Sequence, residues 1–299
     1  MTRTADFSCF VCGAAAQKRY FTVRGWHFRR CRECGLVRMA PIPDLGAAGE
    51  DYRGFDLASY RKFLESFRVP QYERDLAWMR ENGAAGRLLD VGCGTGEFLD
   101  VASRAGFRVA GVEPSPTASA IAAERHPVIR GELLKTDLGG RRFDAVTLWS
   151  VLEHVPSPSE VLARAAALLE PGGILALRVP DVRGLLPRLA LLIHRLALGR
   201  ISAPLRVLYQ LDWHYKHFTG FERRTLARAV ENAGFEVIGA RREMSYTWRS
   251  LGLRMGSVIL GAGAAAGLVR AGLGLVAAMS RLLGLEDEIV LLARKNKQS

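Results

Sequence analysis

The chain has 299 residues, 49% hydrophobic and 24% charged, enough for one large domain plus a small appendage and too apolar for a disordered chain. Its 42 Lys and Arg against 30 Asp and Glu give a formal net charge of +12, which favours nucleic acid, phosphorylated substrates or an acidic membrane surface without choosing among them. Four of the five cysteines fall in two C-x-x-C pairs before residue 35, a metal-site pattern that excludes a secreted disulfide scaffold and predicts a cytoplasmic setting. Met1 to Asp6 lead into polar residues and cysteines, so no signal peptide is expected.

Residues 1–40 read as one small module. Cys9-Phe-Val-Cys12 and Cys31-Arg-Glu-Cys34 lie eighteen residues apart, the spacing of a tetrahedral four-thiolate zinc site. Gly13 and Gly35 follow the two pairs and suit tight knuckles whose backbone N–H groups turn toward the sulfurs. The pattern resembles a zinc ribbon, and four thiolates fill the coordination sphere, so the zinc is expected to be structural. Arg24, Trp26, His27, Arg29 and Arg30 form a basic aromatic hairpin that offers either a contact surface or a plain solvated face.

Residues 41–86 read as a linker, from Ala40 to Gly46, and one or two leading helices between Phe55 and Asn82 with Pro70 as a break. From 87 to 299 strand and helix signals alternate. Strands are predicted at Arg87 to Val91, Arg108 to Val112, Val128 to Ile129, Phe143 to Leu148 and Ile174 to Val179, with helices between them. A last strand pair is expected at Phe235 to Arg241 and Glu288 to Arg294. Short Val/Leu/Ile runs divided by helices are what a parallel sheet covered on both faces needs, so the fold class is α/β, doubly wound and Rossmann-like. Residues 185–211 and 251–285 are apolar, punctuated by Arg and Gly, and stand where only short connections are needed. They are read as helical insertions that either pack on each other or form a homodimer interface, or else make a lid that rests on a membrane surface or an amphiphilic substrate. Arg254, Arg270 and Arg281 interrupt the second one, which argues against a spanning helix.

Leu88-Leu89-Asp90-Val91-Gly92-Cys93-Gly94-Thr95-Gly96 sets three alternate glycines after a strand and before a helix, where backbone must turn sharply and lie against a ligand. Val112-Glu113-Pro114-Ser115 brings an acid about twenty residues later, the position from which a carboxylate accepts ribose hydroxyls. Phe143 to Val155 and Leu168 to Leu175, with Glu170-Pro171-Gly172-Gly173, follow in register. This ordered set resembles the class I S-adenosylmethionine (SAM)-dependent methyltransferases. The resemblance places Asp90, Gly92, Gly94 and Gly96 around the methionine part of SAM and Glu113 on its ribose. It places Glu132 or Leu133 at the adenine edge, and Trp149 and Ser150 facing the methyl donor. Cys93 reads as a small filler residue.

Methyl transfer is an in-line displacement that the protein serves by positioning and, for a protic acceptor, by a base. His217 and His214, in Trp213-His214-Tyr215-Lys216-His217-Phe218-Thr219, and His154, in Leu152-Glu153-His154-Val155, are the candidate bases. The former segment resembles a His-x-x-His-Phe-Ser/Thr segment of this methyltransferase group and, with Lys216 in place of an acid, that of sugar C-methyltransferases with cysteine-rich N-terminal modules. Glu153 with His154 also resembles the metal-binding acid and histidine of some quinone O-methyltransferases, although the acid expected upstream is Trp149 or Ser150 here. The expected activity is O- or C-methylation of a small-molecule, glycoconjugate or lipid-linked acceptor. An RNA methyltransferase and a non-catalytic SAM-fold scaffold are the rivals. Nucleic acid is disfavoured because no Asn-Pro-Pro-Tyr-like signature is present and much of the excess Arg sits in the apolar stretches.

Overall fold

A computed structural model describes residues 8–43, 64–213, 215–245 and 264–297 of the chain. His214, residues 55–63 of the expected leading helix and residues 251–263 of the second insertion lie outside them. In chain order the elements begin with β1 (Gln17–Val23), β2 (Trp26–Cys31), β3 (Val37–Met39) and α1 (Val69–Glu81). Then come β4 (Arg87–Val91), α2 (Glu97–Arg104), β5 (Arg108–Glu113), α3 (Pro116–Ala123), β6 (Val128–Arg130), β7 (Phe143–Trp149), α4 (Pro158–Leu168) and β8 (Leu169–Pro180). The C-terminal third holds α5 (Leu185–Leu196), α6 (Ala203–Leu208), β9 (Thr219–Gly220), α7 (Arg223–Asn232), β10 (Phe235–Glu243), α8 (Ala264–Leu283) and β11 (Glu288–Lys295).

The alternating segments build a seven-stranded sheet in the order β10-β11-β8-β7-β4-β5-β6. β6, β5, β4, β7 and β8 run parallel, and β11 is reversed between β8 and β10. Neighbouring residues on a strand serve opposite faces, as the two-residue period demands. Leu89 and Val146 pack with Val161, Leu162 and Ala165 of α4, whereas Leu88 and Ala145 pack with Leu76 and Met79 of α1 and Phe98 and Val101 of α2. The chain winds outward from β4 through β5 to β6 and then returns to β7 and β8 on the other side. That reversal opens a crevice at the C-terminal ends of β4 and β7, the usual ligand position in such sheets.

A second, antiparallel sheet has the order β1-β2-β3-β9. Its edge strand comes from residues 219–220, so the N-terminal module is completed by chain from far downstream, which was not foreseen. Its inner face, with Phe21 and Phe28, packs on Ala190, Leu191, Leu205 and Tyr209 of the first insertion. Two boundaries also differ from expectation. Pro70 does not break a helix but sits in the first turn of α1, where its missing N–H costs nothing, after one π turn at Leu64–Arg68. β8 starts at Leu169, before the expected Ile174, because Leu169 pairs with Phe143 ahead of the Glu170-Pro171-Gly172-Gly173 bulge.

Candidate active site

The glycine loop follows β4 directly. Gly92, Gly94 and Gly96 have φ of +69°, +55° and +92°, a region that L side chains adopt only with strain. A Cβ on Gly92 would strike Val151, but one on Gly94 would meet nothing within 4 Å. The loop is therefore packed on one side and open at its middle. Glu113, at the end of β5, is buried, and its two oxygens accept the Gly94 and Ser115 N–H groups, each at 2.9 Å. Its carboxylate is thus aimed across the open side of the loop. Asp90 accepts the Thr147 hydroxyl at 2.7 Å, and burial pushes its carboxyl up to about 8. Burial likewise raises the Cys93 thiol far above its ordinary range, which makes it inert as a nucleophile. Leu133 is buried, whereas Glu132 is exposed enough to pair with Lys135 at 2.6 Å.

Across the crevice, Trp149 ends β7 in an aromatic cluster with Phe98 at 5.1 Å and Tyr72 of α1 at 5.9 Å between ring centroids. Its indole Nε1 is buried with no hydrogen-bond partner among the described residues. Ser150 follows in a left-handed conformation, φ +59°, and donates its N–H to the Arg178 carbonyl at 3.0 Å. An open glycine, a carboxylate anchored beside it and an orphaned indole N–H at the end of β7 fit an adenosyl cofactor.

One turn further, Glu153, His154 and His217 bring ligand-capable atoms to within 4.8 Å of one another. The His154 and His217 rings meet edge to face at 4.7 Å. Phe218 and Thr219 N–H groups donate to the Glu153 carbonyl at 2.7 and 3.1 Å, and this fastens the downstream histidine over the end of β7. His154 Nδ1 lies 3.1 Å from the Lys216 carbonyl, so Nδ1 carries the proton and Nε2 keeps its lone pair. Burial holds the His154 imidazolium down to about 4 despite the Lys216 and Tyr215 carbonyls, and burial raises the Glu153 carboxyl to about 8. Glu153 Oε2 has no hydrogen-bond partner among the described residues. Of the three predicted histidines, the structure joins two and His214 lies outside the described residues.

The four N-terminal cysteines form a second cluster. Cys9 and Cys34 sulfurs lie 3.5 Å apart and those of Cys12 and Cys31 3.6 Å, with all four within 4.8 Å. Each pair closes on a left-handed glycine, Gly13 at φ +75° and Gly35 at φ +86°. Although burial opposes ionisation, N–H groups of Cys34 and Glu33 turned toward Cys31 bring its thiol down to about 7. The donor set and knuckle geometry fit a tetrahedral zinc.

A methyltransferase-domain family model matches residues 60–240. The chain belongs to this family. A ubiquinone biosynthesis O-methyltransferase of Xanthomonas axonopodis pv. citri is 31% identical over 214 residues, covering 66% of this chain and 82% of that one. Among solved structures, a cyclopropane synthase of Mycobacterium tuberculosis matches with TM-score 0.55 at 18% identity, covering 78% of this chain and 85% of that one. A SAM-dependent methyltransferase of Thermotoga maritima matches at TM-score 0.51 and 21% identity, over 82% of this chain and 98% of that one. These likenesses agree with the Rossmann-like sheet and the SAM-dependent methyltransferase class read from the glycine loop.

In this methyltransferase, the residues that sequence reasoning missed surround Arg178. Its side chain is 1% exposed inside the apolar run of β8. It donates to Asp75 at 2.5 Å, Glu288 at 2.9 Å and Gln71 at 3.0 Å, while Arg68 and Arg241 complete the cluster on Glu288 and Asp75. The signal was available: a lone Arg in a buried strand is tolerated only when it is paired. Its partners could not be named, because they lie between residues 68 and 288.

Proposed function

We propose that this methyltransferase transfers the SAM methyl group to a hydroxyl or carbon of an amphiphilic acceptor, a small molecule or a lipid-linked glycoconjugate, with His217 and His154 as the proton-accepting pair. The observation that carries the reading is the pairing of His154, just after β7, with His217, their rings 4.7 Å apart. O-methylation is the chemistry named for the Xanthomonas relative. SAM supplies an electrophilic methyl on a sulfonium centre. The protein's part is to hold the cofactor with Asp90, Gly92, Gly94, Gly96 and Glu113, with Leu133 and Glu132 beside the adenine, and to exclude water with Trp149, Phe98 and Tyr72. A neutral His154, its tautomer fixed by the Lys216 carbonyl, offers Nε2 to the acceptor proton, with His217 against its ring. The resulting imidazolium would face Glu153 Oε1, 3.9 Å from Nε2. In a second reading, supported by the orphaned Glu153 oxygen, Glu153, His154 and His217 hold a divalent cation that orients the acceptor; two imidazoles and a carboxylate suit such an ion.

Cys9, Cys12, Cys31 and Cys34 hold a structural zinc in this proposal, in keeping with a reducing cytoplasmic setting. The apolar insertions give the acceptor its character. Twelve of the fourteen exposed large apolar side chains among the described residues lie on α5, α6, α8 and the turn after α5, including Leu196 at 76% and Leu282 at 85% exposure. α5 and α8 touch each other, and neither helix contains Asp or Glu. No helix among the described residues is long and apolar enough to cross a membrane. An apolar face with arginines and no acids suits an anionic membrane surface, from which an amphiphilic acceptor can be drawn.

The test is His217→Ala, with His154→Ala beside it. SAM affinity should stay, and turnover should fall roughly 10²-fold or more, the scale of a positioned base. Full activity in both variants would return the pair to packing. Activity lost on chelation and restored by one divalent ion, with zinc at the cysteines unchanged, would favour the metal reading.

A further inference from the structure

Between the N-terminal sheet and the first turns of α7 lies a cavity of about 450 Å³ whose lining includes Lys18, Arg30, Arg32, Arg183, Arg224 and Arg228. These cations come from β1, β2, the second cysteine knuckle, the turn after β8 and α7. The only carboxylates in the lining are Glu33 and Glu222. Glu222 is already shared by Arg30 at 3.2 Å and Arg183 at 3.7 Å. Lys18, Arg32, Arg224 and Arg228 form no ion pair with a carboxylate among the described residues. The excess of positive charge survives even the two formal negative charges of a zinc tetrathiolate at the neighbouring cysteines. Lys18, Arg32, Arg224 and Arg228 are exposed, and a bound anion would relieve the repulsion among them. Guanidinium forks match phosphate oxygens two at a time.

The cavity is tied to the methyl-transfer crevice by a short piece of chain. Phe218 and Thr219 are fastened to the Glu153 carbonyl, Phe221 bridges to Asp181, and Glu222 lines the cavity. Glu222 lies five positions after His217, at most about 18 Å of fully extended chain. Arg183 stands just beyond the C-terminal end of β8, the edge of the sheet where the crevice opens. That extended length bounds the separation that a phosphorylated acceptor must bridge between the two places.

We propose that this cavity binds a phosphate or diphosphate group of the acceptor while the atom to be methylated reaches His154 and His217. The inference rests on the acceptor-methyltransferase reading for its second half, but the anion site itself does not. The test is calorimetric titration of the full chain with inorganic diphosphate, zinc content being measured before and after because diphosphate chelates metals. One saturable site is expected. Arg224→Ala/Arg228→Ala, two exposed substitutions, should weaken it about tenfold or more, as should Lys18→Ala in a separate variant, with SAM affinity unchanged. Competition by a soluble nucleoside diphosphate would assign a water-soluble acceptor; competition by phosphatidate vesicles alone would assign a lipid-linked one. No saturable diphosphate binding by the zinc-loaded chain, or equal affinity in all variants, would overturn the proposal. So would binding of an RNA oligonucleotide with steep salt dependence, abolished by the same variants, where diphosphate does not bind. A diphosphate site lost in the variants, with no methyl transfer to any acceptor, would leave the anion site standing and remove the acceptor reading.

Discussion

Glu113→Gln tests the cofactor assignment most sharply, because it keeps the shape of the side chain and changes only its hydrogen-bonding capacity. The carboxylate accepts N–H groups on both oxygens, from Gly94 and Ser115, each at 2.9 Å. A glutamine must turn its NH2 toward one of those N–H groups, donor against donor, in a position only 5% exposed. An unsatisfied buried donor costs about 1–3 kcal/mol, but it is paid in the free and the bound protein alike and so shows mainly as a lower melting temperature. The affinity change comes from the ribose, whose charge-assisted hydrogen bond is worth about 1.5–3 kcal/mol. Cofactor binding should therefore weaken roughly 10- to 150-fold. Calorimetry with S-adenosylhomocysteine, which cannot turn over, measures the second effect, and thermal melts without ligand measure the first. A lowered melting temperature with unchanged affinity would show that Glu113 only braces the loop.

Four further outcomes are expected. Gly94→Val, at φ +55° with open space before it, should abolish SAM binding, and retained affinity would place the cofactor elsewhere. Protein purified without added metal should carry about one zinc per chain, absent from Cys31→Ser/Cys34→Ser; freshly reduced protein without zinc would refute the tetrathiolate. The Glu288 carboxyl, buried but held by Arg68 and Arg178, sits down at about 2 against an ordinary 4.5; a depressed folded value means stability fully present above 4.5 and lost as pH falls toward 2. Glu288→Gln should thus cost roughly 3 kcal/mol at pH 7, with the difference from the parent protein vanishing near pH 2, and urea unfolding at both pH values that gave a constant difference would contradict this. Leu196→Glu/Leu282→Glu should abolish pelleting with anionic vesicles, whereas a parent protein that never pellets and forms a stable dimer would assign that face to a second subunit.

The central strands of the seven-stranded sheet were readable because they are buried on both faces and so appear as short segments dominated by apolar residues, such as Leu88, Leu89 and Val91 or Ala145, Val146 and Leu148. The glycine loop and the cysteine pairs were readable because each needs fixed residues at fixed local spacing. The rest depends on contacts that no local pattern encodes. β9 is two residues long and exists only because β3 offers it a backbone edge. His154 and His217 are 63 positions apart in sequence, and their meeting is set by long-range contacts at the Glu153, Lys216 and Phe218 backbone carbonyls. Arg178 announces a need for partners, but Asp75 and Glu288 become its partners only after α1 has folded back on β8 and β11.

The same contacts say what a zinc held by the four cysteines would contribute to the proposed methyl-transfer site. Cys31 ends β2 and Cys34 stands just ahead of β3, so a metal at the knuckle fixes the edge on which β9 pairs. Met39 donates its N–H to the Phe218 carbonyl at 2.8 Å, while the Phe218 N–H points the other way to the Glu153 carbonyl at 2.7 Å. The residue after His217 is thereby clamped between the N-terminal sheet and the end of β7. Loosening the knuckle should free His217 without touching Gly94 or Glu113, which belong to the other half of the crevice. Zinc removal should then lower turnover while leaving cofactor affinity in place. A parallel loss of both would mean that the metal supports the whole fold, and an unchanged turnover would mean that the clamp on His217 holds without it.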